Sequence, residues 1–314
     1  MLKVAIIGAG VMGSNHARVA AASPGVTVTH IVDPDPARAG ALAQHIGAVA
    51  CSSVDALSDL PDAAIIAAPS HLHRDVAEKL AGQGVHLLVE KPLALDVDDA
   101  VAIVEAARSA GVVLAVGHVE RFNPAVLELP RLVAEPIHVR ATRVSPYSAR
   151  VGESVVLDLM IHDLDIVASL VGAPVSTIAA VSQTVRSNTH DLVSTLLQFA
   201  NGVTASVSAS RIGQNKDREL VITQPDSVVT VDLLRQDITV AKMHHAEYTS
   251  EAGTRYRQSG VVEIPFLEHR GEPLALEHDD FYAAVRHERA PLVTGEQGVA
   301  AVELALRVMA AADR

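Results

Sequence analysis

The sequence is short of several things at once: it has one cysteine, no tryptophan, 3% aromatic residues and only five lysines among its 25 basic residues. With Cys51 alone, no intramolecular disulfide can form, which points to a reducing compartment. No Cys-x-x-Cys or Cys/His pattern surrounds it, so Cys51 reads as a small packing residue. The formal charge of -12 comes from scattered acids, with no basic run and no acidic tail. Nucleic acid and anionic membrane are therefore poor partners. Apolar stretches such as Ala63 to Pro69 and Val112 to Gly117 fall far below the roughly 20 residues that cross a bilayer. The opening Met1-Leu2-Lys3-Val4 lacks the basic region, long apolar segment and cleavage site of a signal peptide. The expectation is a cytoplasmic protein with no membrane segment.

What is present is ample apolar content, 49% of 314 residues, enough for two cores. Through about residue 118, short β-rich runs (Lys3 to Ile7, Val26 to Val32, Ala63 to Ala67, Val85 to Val89, Val112 to Val116) alternate with helical periodicity (Val11 to Ala22, Ala37 to Ile46, His73 to Ala81, Val97 to Ser109). Runs buried on both faces and linked by helices predict an α/β Rossmann domain, a doubly wound parallel sheet. After Pro124 the strands alternate, as expected when one face is covered: Ile137 to Tyr147, Val175 to Val185, Asp191 to Phe199, Val203 to Arg211, Leu220 to Thr223, Val228 to Asp232 and Ile238 to Met243. Asn201-Gly202 marks a hairpin. Helices are expected over Val155 to Val171, Leu274 to Arg289 and Glu296 to Ala312. The division expected is a dinucleotide-binding domain over 1-118 and an α+β domain over 119-314, built on a mostly antiparallel open sheet.

Gly8-Ala9-Gly10-Val11-Met12-Gly13 follows a strand and opens a helix inside a βαβ unit, the context that gives Gly-x-Gly-x-x-Gly its meaning. The first Gly permits the tight turn, the second lets the backbone approach a pyrophosphate, and the third lets helix and strand pack closely. The helix start, with Val11 and Met12, then favours phosphate charge. Asp33 ends the second strand, where an acid accepts hydrogen bonds from an adenosine ribose. A 2'-phosphate would meet that carboxylate, so NAD is favoured over NADP. Lys91 stands out because lysine is scarce and because it sits at the carboxyl end of a buried strand, between Glu90 and Pro92. Asp158, His162 and Asp165 stand at i, i+4 and i+7 and share a helical stripe, while Leu159, Ile166 and Leu170 can face the core. A solvated Asp-His face and a metal site both fit that spacing, but no further ligand cluster accompanies it, so no metal is expected.

Gly8-x-Gly10-x-x-Gly13, Pro69-Ser70-x-x-His73, Glu90-Lys91-Pro92, Gly117-His118-x-x-Arg121-Phe122-Asn123-Pro124 and Asp158-x-x-x-His162-x-x-Asp165 occur in this order along nearly the whole chain. Together they resemble the glucose-fructose oxidoreductase, inositol dehydrogenase and rhizopine-catabolism (Gfo/Idh/MocA) family. The resemblance implies a nicotinamide-dependent oxidoreductase acting on a secondary alcohol of a sugar, sugar nucleotide or cyclic polyol, assembled as a homodimer or homotetramer through the second domain's sheet. It implies Lys91, Asp158 and His162 as the catalytic group. His162 is then the general base. Lys91 polarises the substrate oxygen, and Asp158 orients Lys91 or His162; whether Lys91 or His162 carries the proton stays open. Cofactor contacts are expected from Gly8, Gly10, Val11, Met12, Gly13, Asp33, Pro69, Ser70, His73, Glu90 and Lys91. Substrate contacts are expected from Lys91, Arg121, Asn123, Arg143, Tyr147, Asp158 and His162. The Gly117 to Pro124 segment is similar to that of UDP-N-acetylglucosamine 3-dehydrogenases, which implies a sugar nucleotide. Two departures are notable: Ser70 stands where many relatives carry Asn or Thr, and the approach to the second-domain helix has only Gly152-Glu153-Ser154, with Ser154 as a helix cap. A biliverdin-reductase-like enzyme for another carbonyl or imine, and a non-catalytic metabolite-sensing regulator, are the alternatives.

Overall fold

A computed structural model describes residues 1–148, 152–250 and 253–314. The chain forms two compact units, Met1–Phe122 with Gly271–Leu306, and Asn123–Arg270 with Arg307–Arg314. In the first, strands β1 (Leu2–Ile7), β2 (Val26–Val32), β3 (Val49–Cys51), β4 (Ala63–Ile66), β5 (His86–Glu90) and β6 (Leu114–Gly117) make one parallel sheet in the order β3-β2-β1-β4-β5-β6. Helices α1 (Val11–Ala22), α2 (Pro36–Ile46), α3 (His73–Ala81) and α4 (Val97–Ala110) are the crossovers. Local chemistry sets their starts: Asp35 accepts from the N–H groups of Ala37 and Arg38 ahead of Pro36, and Asp96 accepts from Asp99.

The expected parallel sheet is present, with one strand added: β3 has only three residues, too few for a periodic signal. One core lies between a sheet face and α1 and α2, where Val4, Ile6, Val28, Ile31, Ala17 and Ala20 pack; the other face packs on α3 and α4. Two helices from the end of the sequence complete these cores. Phe281, Tyr282 and Val285 of α8 (Pro273–Val285) join the first core, and Val302 of α9 (Gly295–Ala312) joins the second. The contiguous division at residue 118 therefore differs from the compact units, because the apolar stripes of these helices are buried on the first sheet.

The second unit begins with the short helices α5 (Pro124–Leu127) and α6 (Leu129–Leu132). Its sheet has eight strands in the order β14-β13-β12-β11-β7-β10-β9-β8: β7 (His138–Pro146), β8 (Val175–Gln183), β9 (Leu192–Phe199), β10 (Thr204–Gly213), β11 (Asp217–Thr223), β12 (Ser227–Asp232), β13 (Asp237–Ser250) and β14 (Gly253–Glu263). Among the described residues, only β7 and β10 of this sheet pair in parallel. Asn201-Gly202 turns β9 into β10, with Gly202 at φ +89°. Inward residues such as Val139, Ala141, Val193, Leu197, Phe199, Val207 and Ala209 are buried. Strand β14 has no counterpart among the expected strands, and β13 runs past the expected end at Met243. Among the described residues no helix is long and apolar enough to cross a membrane.

The expected continuous helix over Val155 to Val171 is two pieces: a π-helical turn, Val156–Met160, followed by α7 (Ile161–Val171). Such turns recur at functional sites. Ser154 caps the entry, its hydroxyl accepting from the Val156 N–H at 3.3 Å. Helix α7 is locked to β7 by a buried bidentate pair in which Arg143 Nε and Nη2 donate to the two oxygens of Asp163 at 2.7 and 2.8 Å, with both side chains 1% exposed. Removing one partner strands a buried charge. Asp163→Ala is expected to destabilise the second unit by about 3–5 kcal/mol, read as a lower urea midpoint; an unchanged midpoint would show the pair to be dispensable.

Candidate active site

In a parallel sheet the carboxyl ends of all strands lie along one edge, and here that edge carries the chemistry. The order β2-β1-β4-β5 sets Asp33, the Gly8 loop, Pro69-Ser70 and Lys91 in a row, with the topological switch between β1 and β4. The glycines are dictated by contact. Gly8 has φ +102°, and a Cβ on it would lie 2.6 Å from the Ala67 carbonyl oxygen. A Cβ on Gly13 would overlap the Gly8 carbonyl oxygen, so helix α1 could not approach so closely. A Cβ on Gly10 would meet nothing. Gly10, Val11 and Met12 are exposed, no side chain caps the helix start, and its first turn carries no acid. An open concavity beside uncapped N–H groups fits a diphosphate.

Asp33 is buried at the end of β2. One carboxylate oxygen accepts from the Ala9 N–H at 2.8 Å and the other from the Asp35 N–H at 2.9 Å, which fixes the glycine loop against β2. Each oxygen keeps a second lone pair for a ribose hydroxyl. Arg38 is engaged with Asp35, Nε to Oδ2 at 3.0 Å, which leaves it committed to its own helix start.

Lys91 follows β5, is half-buried and is joined to Pro92 by a cis peptide bond. Its N–H donates to Glu90 Oε2 at 3.1 Å, and Glu90 Oε1 lies 2.8 Å from His16 Nε2. Burial pushes the Glu90 carboxyl up, but the His16 hydrogen bond, His16 and Lys91 outweigh it and hold it below the ordinary carboxylate range. Gly117 on β6 leaves the room: a Cβ there would lie 3.1 Å from Glu90 Cα. His73 was expected to touch the cofactor. It is 1% exposed, and both ring nitrogens face main-chain carbonyls, Nε2 at 2.9 Å from Ala68 O and Nδ1 at 3.1 Å from Pro92 O and Leu93 O. It therefore ties the loop after β4 to the Lys91-Pro92 turn. Burial pushes its imidazole pKa down, and those carbonyls and Glu90 oppose that shift.

Lys91 belongs to the first unit; Asp158 and His162 belong to the second. Asp158 sits on the π-turn and His162 on the first turn of α7, both half-buried. The expected polar stripe is broken at its third member, since Asp165 is 5% exposed and lies in the interior. Of the expected substrate contacts, Arg143 is the buried partner of Asp163. Asn123 is 2% exposed, caps α5 by accepting from the Ala125 N–H at 3.1 Å, and donates to Leu233 O at 2.9 Å. These bonds tie both side chains into the second unit. Arg121 is buried in the helical turn Val119–Phe122. Tyr147 is half-buried, donates to Arg186 O at 3.4 Å and stacks under the Arg186 guanidinium at 5.6 Å.

Sequence reasoning passed over His16, Glu277, His278 and Tyr282, which are all buried in the first unit. The available signal was His16 on the Gly13, His16, Ala17, Ala20 stripe of α1, a polar group on an otherwise small-residue buried face.

This fold and this edge define a dinucleotide-binding oxidoreductase. The pattern of the oxidoreductase family with an NAD-binding Rossmann fold matches residues 2–118, and that of the GFO/IDH/MocA C-terminal domain matches residues 133–224. The chain belongs to the Gfo/Idh/MocA family. It is 31% identical to the UDP-N-acetylglucosamine 3-dehydrogenase of Acidithiobacillus ferrooxidans over 99% of this chain and 97% of that protein. A solved structure of that enzyme superposes with a TM-score of 0.88, also covering 99% and 97% of the two chains. The scyllo-inositol 2-dehydrogenase (NAD(+)) of Bacillus subtilis is 27% identical over 93% of this chain and 89% of its own. Levoglucosan dehydrogenase in complex with NADH, at 22% identity, a TM-score of 0.84 and coverage of 99% and 97%, shares the fold.

The glycine loop separates binding from folding. Gly10→Ala is expected to leave the thermal midpoint unchanged while weakening NADH by at least about tenfold, because the methyl fills space a diphosphate needs. Gly13→Ala is expected to lower both stability and affinity. Intact NADH affinity in Gly10→Ala, measured by fluorescence titration, would contradict the loop assignment.

Proposed function

We propose that this protein is an NAD-dependent dehydrogenase that oxidises a secondary hydroxyl of a sugar nucleotide, with C3 of UDP-N-acetylglucosamine as the first substrate to test. The carrying observation is the row of groups on one sheet edge: an open Gly10 turn at an uncapped helix start, Asp33 beside it, and Lys91 two strands away. The likeness to a UDP-N-acetylglucosamine 3-dehydrogenase along almost the entire chain supports the substrate class. The relatives named above do not favour a biliverdin-type reductase or a sensing regulator. Gly8, Gly10, Val11, Met12 and Gly13 would cradle the diphosphate, Asp33 the adenosine ribose, and Pro69, Ser70, Glu90 and Lys91 the remainder of NAD. A 2'-phosphate would meet the Asp33 carboxylate, which favours NAD over NADP.

When bound, the nicotinamide supplies a hydride acceptor. Oxidation then requires that the hydroxyl lose its proton as hydride leaves the same carbon. His162 takes that proton as general base. Lys91 donates a hydrogen bond to the same oxygen and stabilises the alkoxide charge as it develops, and Asp158 orients the imidazole. Arg121 and Tyr147 are assigned to the substrate. A homodimer or homotetramer would form through the outer face of the second sheet, where Val181 and Leu196 are 67% and 61% exposed beside Arg140, Thr142, Ser194 and Ser208. Cys51, buried and unpaired, suits the reducing cytoplasm.

Turnover is read by absorbance of the reduced nicotinamide across UDP-sugars, free aldoses and inositols; tight NAD binding with no activity on any of them would contradict the assignment. Lys91→Ala and His162→Ala are each expected to lower kcat by about 10²- to 10⁴-fold, and near-normal turnover in both would remove them from the chemistry. NADH is expected to bind at least about tenfold tighter than NADPH. Tighter NADPH would overturn the role given to Asp33.

A further inference from the structure

Beneath the Lys91 turn, the first unit buries a line of polar side chains that starts at Glu90 and continues through residues the proposed chemistry does not use. His16 Nε2 lies 2.8 Å from Glu90 Oε1. His16 Nδ1 lies 2.8 Å from His278 Nε2, and His278 Nδ1 lies 3.1 Å from the Tyr282 hydroxyl. The two imidazole planes are within 5° of parallel. None of the four residues is more than 6% exposed. An ionised carboxylate only accepts, so His16 must present Nε2–H to Glu90. With His16 neutral, its Nδ1 accepts from His278 Nε2–H, and His278 Nδ1 accepts from the Tyr282 hydroxyl. Every group in the line is then satisfied with both imidazoles neutral. Burial pushes the His278 imidazole well down and the Tyr282 phenol up, which agrees with this polarity.

Glu277 on α8 decides where the charge rests. Its carboxyl, the Glu90 carboxyl and a His16 nitrogen offer atoms within 4.8 Å of one another. It is 1% exposed, and neither of its oxygens has a hydrogen-bond partner among the described residues. Two carboxylates this close in the interior cannot both ionise without a cation. Burial, with Glu90 and Asp280 nearby, pushes the Glu277 carboxyl well up, so it carries the proton and Glu90 the charge. The same three side chains could instead grip a divalent cation. That would require His16 to give up its N–H bond to Glu90, and the 2.8 Å separation suits that hydrogen bond.

We propose that His16 is a positioning residue for Lys91, acting through Glu90: the Tyr282, His278 and His16 line holds the carboxylate in one orientation, and that carboxylate fixes the Lys91 peptide N–H at the edge of the dinucleotide site. This rests on the reading of Lys91 as a catalytic residue.

The test compares His16→Ala and His16→Gln in the full-length protein. His16→Ala is expected to lower kcat about 10- to 100-fold with KM and NADH affinity within about threefold. His16→Gln, whose amide can replace the Nε2–H donor, restores most of the rate. Unchanged kcat in His16→Ala overturns the proposal. If the parent turns over no sugar, the catalytic reading of Lys91 fails, while the positional claim is still read from the Lys91 amide resonance: it moves in His16→Ala and returns in His16→Gln, and an unmoved resonance overturns the claim. Should His16→Ala not fold, His278→Ala breaks the line one step farther out and is expected to move the same resonance and rate in the same direction. Stoichiometric zinc in the purified parent that is lost in Glu277→Gln would also overturn the proposal, by making the cluster a metal centre.

Discussion

A carboxylate with almost no solvent must be given donors, and Glu90 is the place where that requirement organises the first unit. Its donors are His16 from the glycine-loop helix and the backbone of Lys91. Satisfying Glu90 therefore sets α1 against the end of β5, the two features that a dinucleotide enzyme must hold in register. Gly117 supplies the clearance on the neighbouring strand. His16 in turn needs a partner for its second nitrogen, which comes from α8, more than 250 residues later in sequence. The return of the chain to its first unit follows from this polar demand as much as from Phe281 and Tyr282 filling the apolar core. A buried charge stripped of one partner costs about 3–5 kcal/mol, so these contacts act as constraints on geometry.

The second unit uses the same device on a different pair. Arg143 and Asp163 fix α7 to β7, and the π-turn ahead of α7 presents Asp158 one turn before His162. That anchoring suits the proton transfer proposed for His162, because a group that must meet a hydroxyl at hydrogen-bond distance cannot wander. The helix carries its polar residues in two depths: Asp158 and His162 toward the half-buried side, Asp163 and Asp165 in the interior.

Much of this was legible in the sequence, for identifiable reasons. Strands β1, β4, β5 and β6 of the first sheet are buried on both faces and read as continuous apolar runs, and α1 and α3 match their expected bounds, Val11 to Ala22 and His73 to Ala81. The Gly8 loop was legible because Gly8 and Gly13 answer contacts that any side chain would violate, while Gly10 leaves open space at the helix start. Polar residues were the hardest to place: His73, Asn123 and Arg143 stood as ligand contacts, and each is also bonded to the fold. Residue type says that a group needs a partner, but it does not say whether the partner is a substrate or the fold. Glu277 left no trace for the opposite reason, lying on a helix face whose apolar neighbours already explained the periodicity, and His16 left only its polarity on a stripe of small residues. The π-turn left no trace because Val155 to Val171 satisfies the 3.6-residue pattern.

The claim at the centre is that Glu90 is ionised and takes its proton donor from His16. The direct measurement is a two-bond ¹⁵N–¹H correlation of the histidine rings in the intact protein at neutral pH. Protonation of His16 and His278 at Nε2 alone, with the His16 proton shifted downfield by a carboxylate hydrogen bond, is the predicted result. A His16 ring protonated at Nδ1 alone, or at both nitrogens, would contradict it.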